Sequence, residues 1–290
     1  MTSSFVFSLC LCMYYVNANP IILFSEGCSM SSSTGVTLKT LMQAHNVDFE
    51  PGLVWDSNDR LNSTHFKYNW ELGKGNEKNI AKTMKDHPTL VGKLDMKIGY
   101  GNWIRKLLRE TKARTVLIQR RNSLNLLLCR IHDCFGEFSF ATTAFLNGSK
   151  SKLCFKRRSS PERTYVRIWD TPMFFKKLGR VVHTQNHHIK SYNNFAEQME
   201  HRVANQARGP IYSEDLLAFT SRIGLNTSLN AWSAMFRQLG LVYTRSIARS
   251  VLEPHIGTHE PHNYQPVIHP LSLEEFERAL MKSPYSGFAY

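Results

Sequence analysis

Two stretches carry residue types that can do chemistry. The first is Ser25-Glu26-Gly27-Cys28-Ser29-Met30-Ser31-Ser32-Ser33-Thr34-Gly35, a small, hydroxyl-rich segment. Small side chains let backbone approach a ligand, and Ser and Thr hydroxyls donate to phosphate or sulfate oxygens. The second is Arg120-Arg121-Asn122-Ser123, with Cys129 eight residues beyond Arg121. An arginine and a small polar group about two helical turns apart can grip one phosphate from two sides. Read alone, the first is equally a helix cap and the second a charged pair at a helix start.

What precedes and follows them sharpens both. Pro20-Ile21-Ile22-Leu23-Phe24 is a short apolar run that reads as a buried strand. Val36, Leu38, Leu41 and Met42 then recur at helical spacing. Strand, small-residue loop and helix is the order in which unpaired N–H groups and the helix dipole face an anion. Thr115-Val116-Leu117-Ile118-Gln119 is a second buried strand, and Leu124 to Phe135 reads as a helix with a Ser or Asn cap. Arg121 therefore leaves the carboxyl end of a strand, where ligands bind in open α/β sheets.

The remaining elements follow the same alternation. Leu90 to Ile98 reads as a strand, and Asn46 to Glu50 as a shorter one. Ile80–Met84 and Trp103–Leu108 read as helices. Gly52 to Gly75 reads as a long loop, and Lys150 to Pro172 as a basic surface excursion. His188 to Arg208 carries apolar residues at spacings of three and four, ending at Gly209-Pro210. His183, His187 and His188 then cap that helix or face a cleft. Ile211-Tyr212 is a minimal strand before the acidic turn Glu214-Asp215. Leu229 to Leu239 is a helix with Gly240 as its C-cap, and Ser272-Leu273-Glu274-Glu275 is a capping box opening a last helix through Met281. The expected fold is one α/β domain over 19–290, with a central, mainly parallel sheet of about five strands and helices on both faces.

Composition excludes whole classes. Of the 290 residues, 42% are hydrophobic and 20% charged, which rules out a disordered, collagen-like or disulfide-scaffold chain. Thirty-six Lys and Arg against 23 Asp and Glu give a formal net charge of +13, which calls for an anionic partner. The charge is clustered: eight basic residues and one acid lie between Arg105 and Arg130, and ten and two between Lys150 and Arg180. No pair among the six cysteines has zinc or redox spacing, and the default is free thiols, with a Cys129–Cys134 bridge as the oxidised alternative. His255, His259 and His262 lie among Pro and Gly and read as incidental, so no metal site is expected. Residues 1–18 read as a signal peptide or a disordered N-terminus; Phe5 to Tyr15 is too short to span a bilayer, so no transmembrane helix is expected. The compartment is a secretory or Golgi lumen in the first case and the cytoplasm in the second.

Taken together, the motifs resemble the sulfotransferases that use 3′-phosphoadenosine 5′-phosphosulfate (PAPS), with carbohydrate-type, bacterial and algal members nearest. Gly27 to Thr34 resembles the family's 5′-phosphosulfate loop, and Val116 to Cys129 its 3′-phosphate motif. Ile211 to Leu217 resembles its turn after a long helix, and Pro270 to Tyr290 the end of bacterial-type and algal members. The resemblance implies a P-loop-like fold. It implies PAPS binding by Gly27, Ser29, Met30, Ser31, Ser32, Ser33, Thr34, Arg121 and Cys129, and sulfuryl transfer to a hydroxyl, most naturally on a glycan. Two departures stand out. Met30 occupies the place of the family's loop Lys or Arg, for which Lys97, Lys39 or Lys74 would have to substitute. Cys129 stands where the family has a phosphate-binding Ser. Glu50 is the first candidate for the base and Asp95 the second. A catalytically weak PAPS-binding homologue is one alternative. A basic nucleic-acid-binding protein is the other, though no aromatic-basic recognition motif supports it.

Overall fold

A computed structural model describes residues 19–26, 31–47, 77–86, 91–95, 101–132, 142–146, 149–150, 164–168, 170–199, 209–257 and 270–288. The central sheet is built from β1 (Ile21–Ser25), β2 (Val91–Asp95), β3 (Arg114–Gln119) and a short strand, Ile211–Tyr212, which is β7 in chain order. Their order is β2-β1-β3-β7 and every pairing is parallel. Between β3 and β7 lies a second, antiparallel sheet of β4 (Thr142–Leu146), β5 (Ser149–Lys150) and β6 (Thr164–Ile168), with β4 in the middle. The surface excursion expected from Lys150 to Pro172 thus contains strand β6 and the start of a helix. Its Lys and Arg density hides the Thr164-Tyr165-Val166-Arg167-Ile168 alternation, which suits a strand with one face on water.

Among the described residues the α-helices are α1 (Ser31–Ala44), α2 (Glu77–Asp86), α3 (Asn102–Glu110), α4 (Ser123–His132), α5 (Thr171–Met199), α6 (Ser213–Leu216), α7 (Leu225–Gln238), α8 (Arg245–Leu252) and α9 (Pro270–Met281). Alternation along β1 divides the core. Ile21 and Leu23 face α1, α7 and α8, against Leu38, Leu41, Trp232 and Phe236. Ile22 and Phe24 face α2, α3 and α5, against Met84, Leu108, Tyr192 and Phe195. A strand covered on both faces has no polar side to show, which is why β1 reads as a continuous apolar run. Each such buried side chain contributes about 1.5–3 kcal/mol relative to exposure. A third cluster joins α4 to the first half of α5 and to α9 through Leu127, Phe174, Leu178 and Phe276.

Several boundaries move. Helix α1 begins at Ser31, so Ser31 to Thr34 form its first turn and are not loop. Asn46 sits in a left-handed turn (φ 53°) that ends α1, so the strand expected over 46–50 does not begin at Asn46, and 48–50 lie outside the described residues. Helix α5 begins at Thr171, seventeen residues before His188, because Phe174, Leu178 and Val181 extend its apolar face. Helix α9 begins at Pro270, which puts Ser272 inside its first turn and not at the cap. Helix α8 is missing from the sequence reading; only Ala248 and Leu252 of its eight residues are buried. Gly240 ends α7 as expected, with φ 60°, a conformation that glycine adopts without strain. Among the described residues, no helix is long and apolar enough to cross a membrane.

Candidate functional site

The chain leaves β1 for the β2 side and returns to β3 on the other. The order therefore reverses between β1 and β3, and the crevice at their carboxyl ends is the place where open α/β sheets bind ligands. Ser25 and Glu26 stand at one lip, and Gln119, Arg120 and Arg121 at the other. Asp95 pairs in register with Ser25, which puts it at the same end of the sheet.

On the β1 side, the Ser25 hydroxyl and the Thr34 hydroxyl of α1 are buried, and neither has a hydrogen-bond partner among the described residues. Two orphan hydroxyls at one strand–helix junction need an explanation, since buried polar groups are ordinarily paired. Glu26, 3% exposed, is the centre of an ion cluster. Its Oε2 accepts from Arg130 Nη2 of α4, and its Oε1 meets His188 Nδ1 of α5 at 2.5 Å. One carboxylate ties β1, α4 and α5 together at the carboxyl end of the sheet.

On the β3 side, the backbone turn is clamped by Glu214. Its Oε2 accepts the Arg121 amide at 2.9 Å and its Oε1 the Asn122 amide at 3.2 Å. The buried Arg120 places Nε 3.5 Å from the same Oε1. Burial pushes the Arg120 guanidinium down from its ordinary range, and Glu214 opposes that. Asn122 caps α4, its Oδ1 accepting the Asn125 amide at 3.0 Å. Gln185 of α5 donates to the Arg120 carbonyl at 2.8 Å and accepts from the Ser123 hydroxyl, while Ser213 donates to the Gln119 carbonyl at 3.2 Å.

Arg121 stands outside this buried frame. Its side chain is 61% exposed, contacts Asp215 at 2.5 Å and lies 4.6 Å from the centre of the Tyr212 ring. Burial raises the Asp215 carboxyl above its ordinary range, Arg121 pulls it down, and Glu214 adds to the rise. A cation held on an aromatic face with open solvent beyond it can take an oxyanion in a forked pair.

The expected site residues divide by place. Ser31, Ser32, Ser33 and Thr34 share the first turn of α1, and Arg121 stands at the β3 junction. Gly27, Ser29, Met30, Glu50 and Lys97 lie outside the described residues. Cys129 lies on α4, as the spacing requires, but it is disulfide-bonded. The free-thiol expectation is corrected there. A disulfide sulfur has no proton, so the weak thiol donor foreseen beside Arg121 is absent. Lys39 lies in α1, half-buried. Of the three spaced histidines, His255 is in a 3₁₀ turn and the other two lie outside the described residues. Among the described residues no group of three or more His, Cys, Asp or Glu could hold a metal.

The sequence reading missed Glu26, Arg130, His188 and Gln185 as a framework. One signal for Glu26 was available: it is the first charged residue of the chain and directly follows a buried strand. Nothing in sequence spacing joins it to His188, 162 residues away.

Comparison of the chain with protein-family models, with curated proteins and with solved structures finds no match in any of the three.

Proposed function

We propose that this chain binds PAPS across the carboxyl ends of β1 and β3 and transfers its sulfuryl group to a hydroxyl, most naturally on a glycan. The observation that carries the reading is the pair of buried, unpartnered hydroxyls of Ser25 and Thr34, at a parallel strand–helix junction where the sheet order reverses. With the amides of the α1 first turn, which have no partner within the helix, they are a donor set for the phosphosulfate end. Arg121 supplies an exposed cation for the 3′-phosphate at the neighbouring junction. The central position of β1 supports the P-loop-like reading of the sheet.

In the reaction, the acceptor oxygen attacks sulfur. The bond from sulfur to the bridging oxygen breaks, its electron pair leaves on the 5′-phosphate, and the acceptor proton passes to a base. Asp95, in register with Ser25, is the described residue among the expected bases that stands at this end of the sheet. The test is calorimetry with adenosine 3′,5′-bisphosphate, the desulfated product. Submicromolar binding that falls when the 3′-phosphate is removed supports the reading; no binding sinks it. Binding without transfer to any of a panel of glycans would favour the binding-only homologue.

A further inference from the structure

The outward face of α5 carries a row that the crevice does not use. Lys176, Arg180, His183, His187 and Lys190 follow one another at spacings of four, three, four and three, and all five are exposed. That spacing keeps side chains on one face of a helix. At 1.5 Å per residue the row is about 21 Å long. It consists of three fixed positive charges and two imidazoles.

Three features separate it from an ordinary solvated face. Residues 171–196 contain no Asp or Glu, and the one acid of the helix, Glu197, comes seven residues after Lys190, so no acid of α5 lies within one helical turn of any member of the row. Some exposed cations of other helices do meet an acid: Lys106 and Lys85 pair with Glu110, and Arg278 with Glu274. The backbone beneath the row is pinned, because Phe174, Leu178, Val181, Tyr192 and Phe195 bury the opposite face of the helix. And the same helix reaches the crevice, through Gln185 at the Arg120 carbonyl and His188 at Glu26. A rigid helix therefore carries three fixed cations, with two imidazoles between them, past the candidate site.

We propose that this row docks a linear acidic polysaccharide, one bearing sulfate or carboxylate groups along its length. A straight line of separated charges matches a polymer that presents anions at intervals. The row holds no Phe, Tyr or Trp, so its two imidazoles are the only rings it offers to a base, fewer than the aromatic platforms by which proteins take single-stranded nucleic acid. The proposal stands whether or not the crevice transfers a sulfuryl group.

The test uses the full chain, fluorescence anisotropy and two probes: a labelled, fully sulfated heparin decasaccharide and a labelled single-stranded oligonucleotide of similar charge. Two triple variants are compared. K176E/R180E/K190E reverses the row; R222E/R237E/K282E makes the same net-charge change at exposed positions on other elements. The row variant should weaken decasaccharide binding at least about tenfold, and the slope of log affinity on log salt should fall by about three. The control variant should change both far less. Equal losses in the two variants would reduce the effect to net charge and overturn the proposal. So would no decasaccharide binding by wild type at moderate salt, or tighter binding of the oligonucleotide through the same three residues. Bisphosphate calorimetry on the same proteins reads the crevice separately, so a failure of the row and a failure of the PAPS reading are told apart.

Discussion

Arg121 and Asp215 meet at 2.5 Å across the carboxyl ends of β3 and β7, with the guanidinium over the Tyr212 ring. An anionic ligand at Arg121 would have Asp215 as both organiser and competitor. Its carboxyl is held above the ordinary carboxylate range by burial, so part of its charge is already disfavoured. Asp215→Asn removes the competing charge and keeps the shape. It should tighten bisphosphate binding by about 1.5- to 5-fold, the effect of an exposed charge pair. Arg121→Ala should weaken it by about 1.5–3 kcal/mol, the range for a charge-assisted hydrogen bond, and should cancel the gain from Asp215→Asn. Calorimetry on the double-mutant cycle reads both. An analogue without the 3′-phosphate should respond little, and equal loss for both ligands would remove Arg121 from the 3′-phosphate.

Glu214 holds the same junction from beneath. It accepts two backbone amides and sits beside the buried Arg120. Glu214→Ala leaves those donors short of partners, and should cost about 2–4 kcal/mol in urea unfolding. Glu214→Gln keeps one acceptor oxygen and should cost less than half of that. A near-neutral Glu214→Ala would mean that solvent satisfies the turn.

The Glu26 cluster makes a sharper stability test, because its carboxylate is nearly inaccessible. Removing one partner of a buried ion pair is strongly destabilising, about 3–5 kcal/mol. Arg130→Met should fall in that range. A Glu26→Gln/Arg130→Met double variant, which removes both charges, should recover part of the loss. Thermal unfolding of the two proteins, compared directly, would show whether the recovery occurs.

How much of this was legible beforehand depends on the range of each interaction. Strands β1 and β3 were visible because burial on both faces makes them apolar throughout, and Gly240 was visible because a helix end needs a left-handed residue. The start of α5 was not, since His183, His187 and His188 interrupt the apolar rhythm where the helix shows its cationic row. Strand β6 was masked by the Lys and Arg density of the stretch around it. Arg121 could be placed at a strand end from local sequence, but its partners Tyr212 and Asp215 come from a strand and a helix more than 90 residues away. Cys129 illustrates the limit most plainly: spacing places it on α4 and allows a bridge, but does not decide between the free thiol taken as the default and the bonded sulfur that is found.

Tyr243 gives a prediction in pH. Burial holds its phenol up at about 12, against an ordinary value of 10.0, and the nearby Arg245 opposes the rise. Its hydroxyl donates to the Leu229 carbonyl at 2.8 Å. The folded chain therefore keeps a proton that the unfolded chain releases first. Stability from this group is complete below about pH 10 and is lost as pH rises toward 12. Tyr243→Phe should lower stability at pH 8 by about 0.5–1.5 kcal/mol, the worth of the hydrogen bond. It should also flatten the decline between pH 10 and 12. Urea unfolding at pH 8 and pH 11 measures both, and an unchanged alkaline slope would contradict the assignment.

If Met30 takes the place of the resembled family's loop Lys or Arg, it sets how fast the proposed transfer can run. Negative charge builds on the bridging oxygen as sulfur moves to the acceptor. An amine beside that oxygen lowers the barrier, and a thioether cannot. Losing one such donor typically costs ~10²–10³ in rate. If no other cation serves, Met30→Lys should raise turnover by a comparable factor and leave bisphosphate affinity nearly unchanged. If Lys97 already fills the role, Met30→Lys should be neutral or harmful through like-charge crowding, and Lys97→Ala should abolish turnover. Single-turnover transfer from PAPS by wild type and both variants, across a panel of glycans, separates the two. Firm PAPS binding with no transfer by any of the three would contradict the enzyme reading and leave a nucleotide-binding protein.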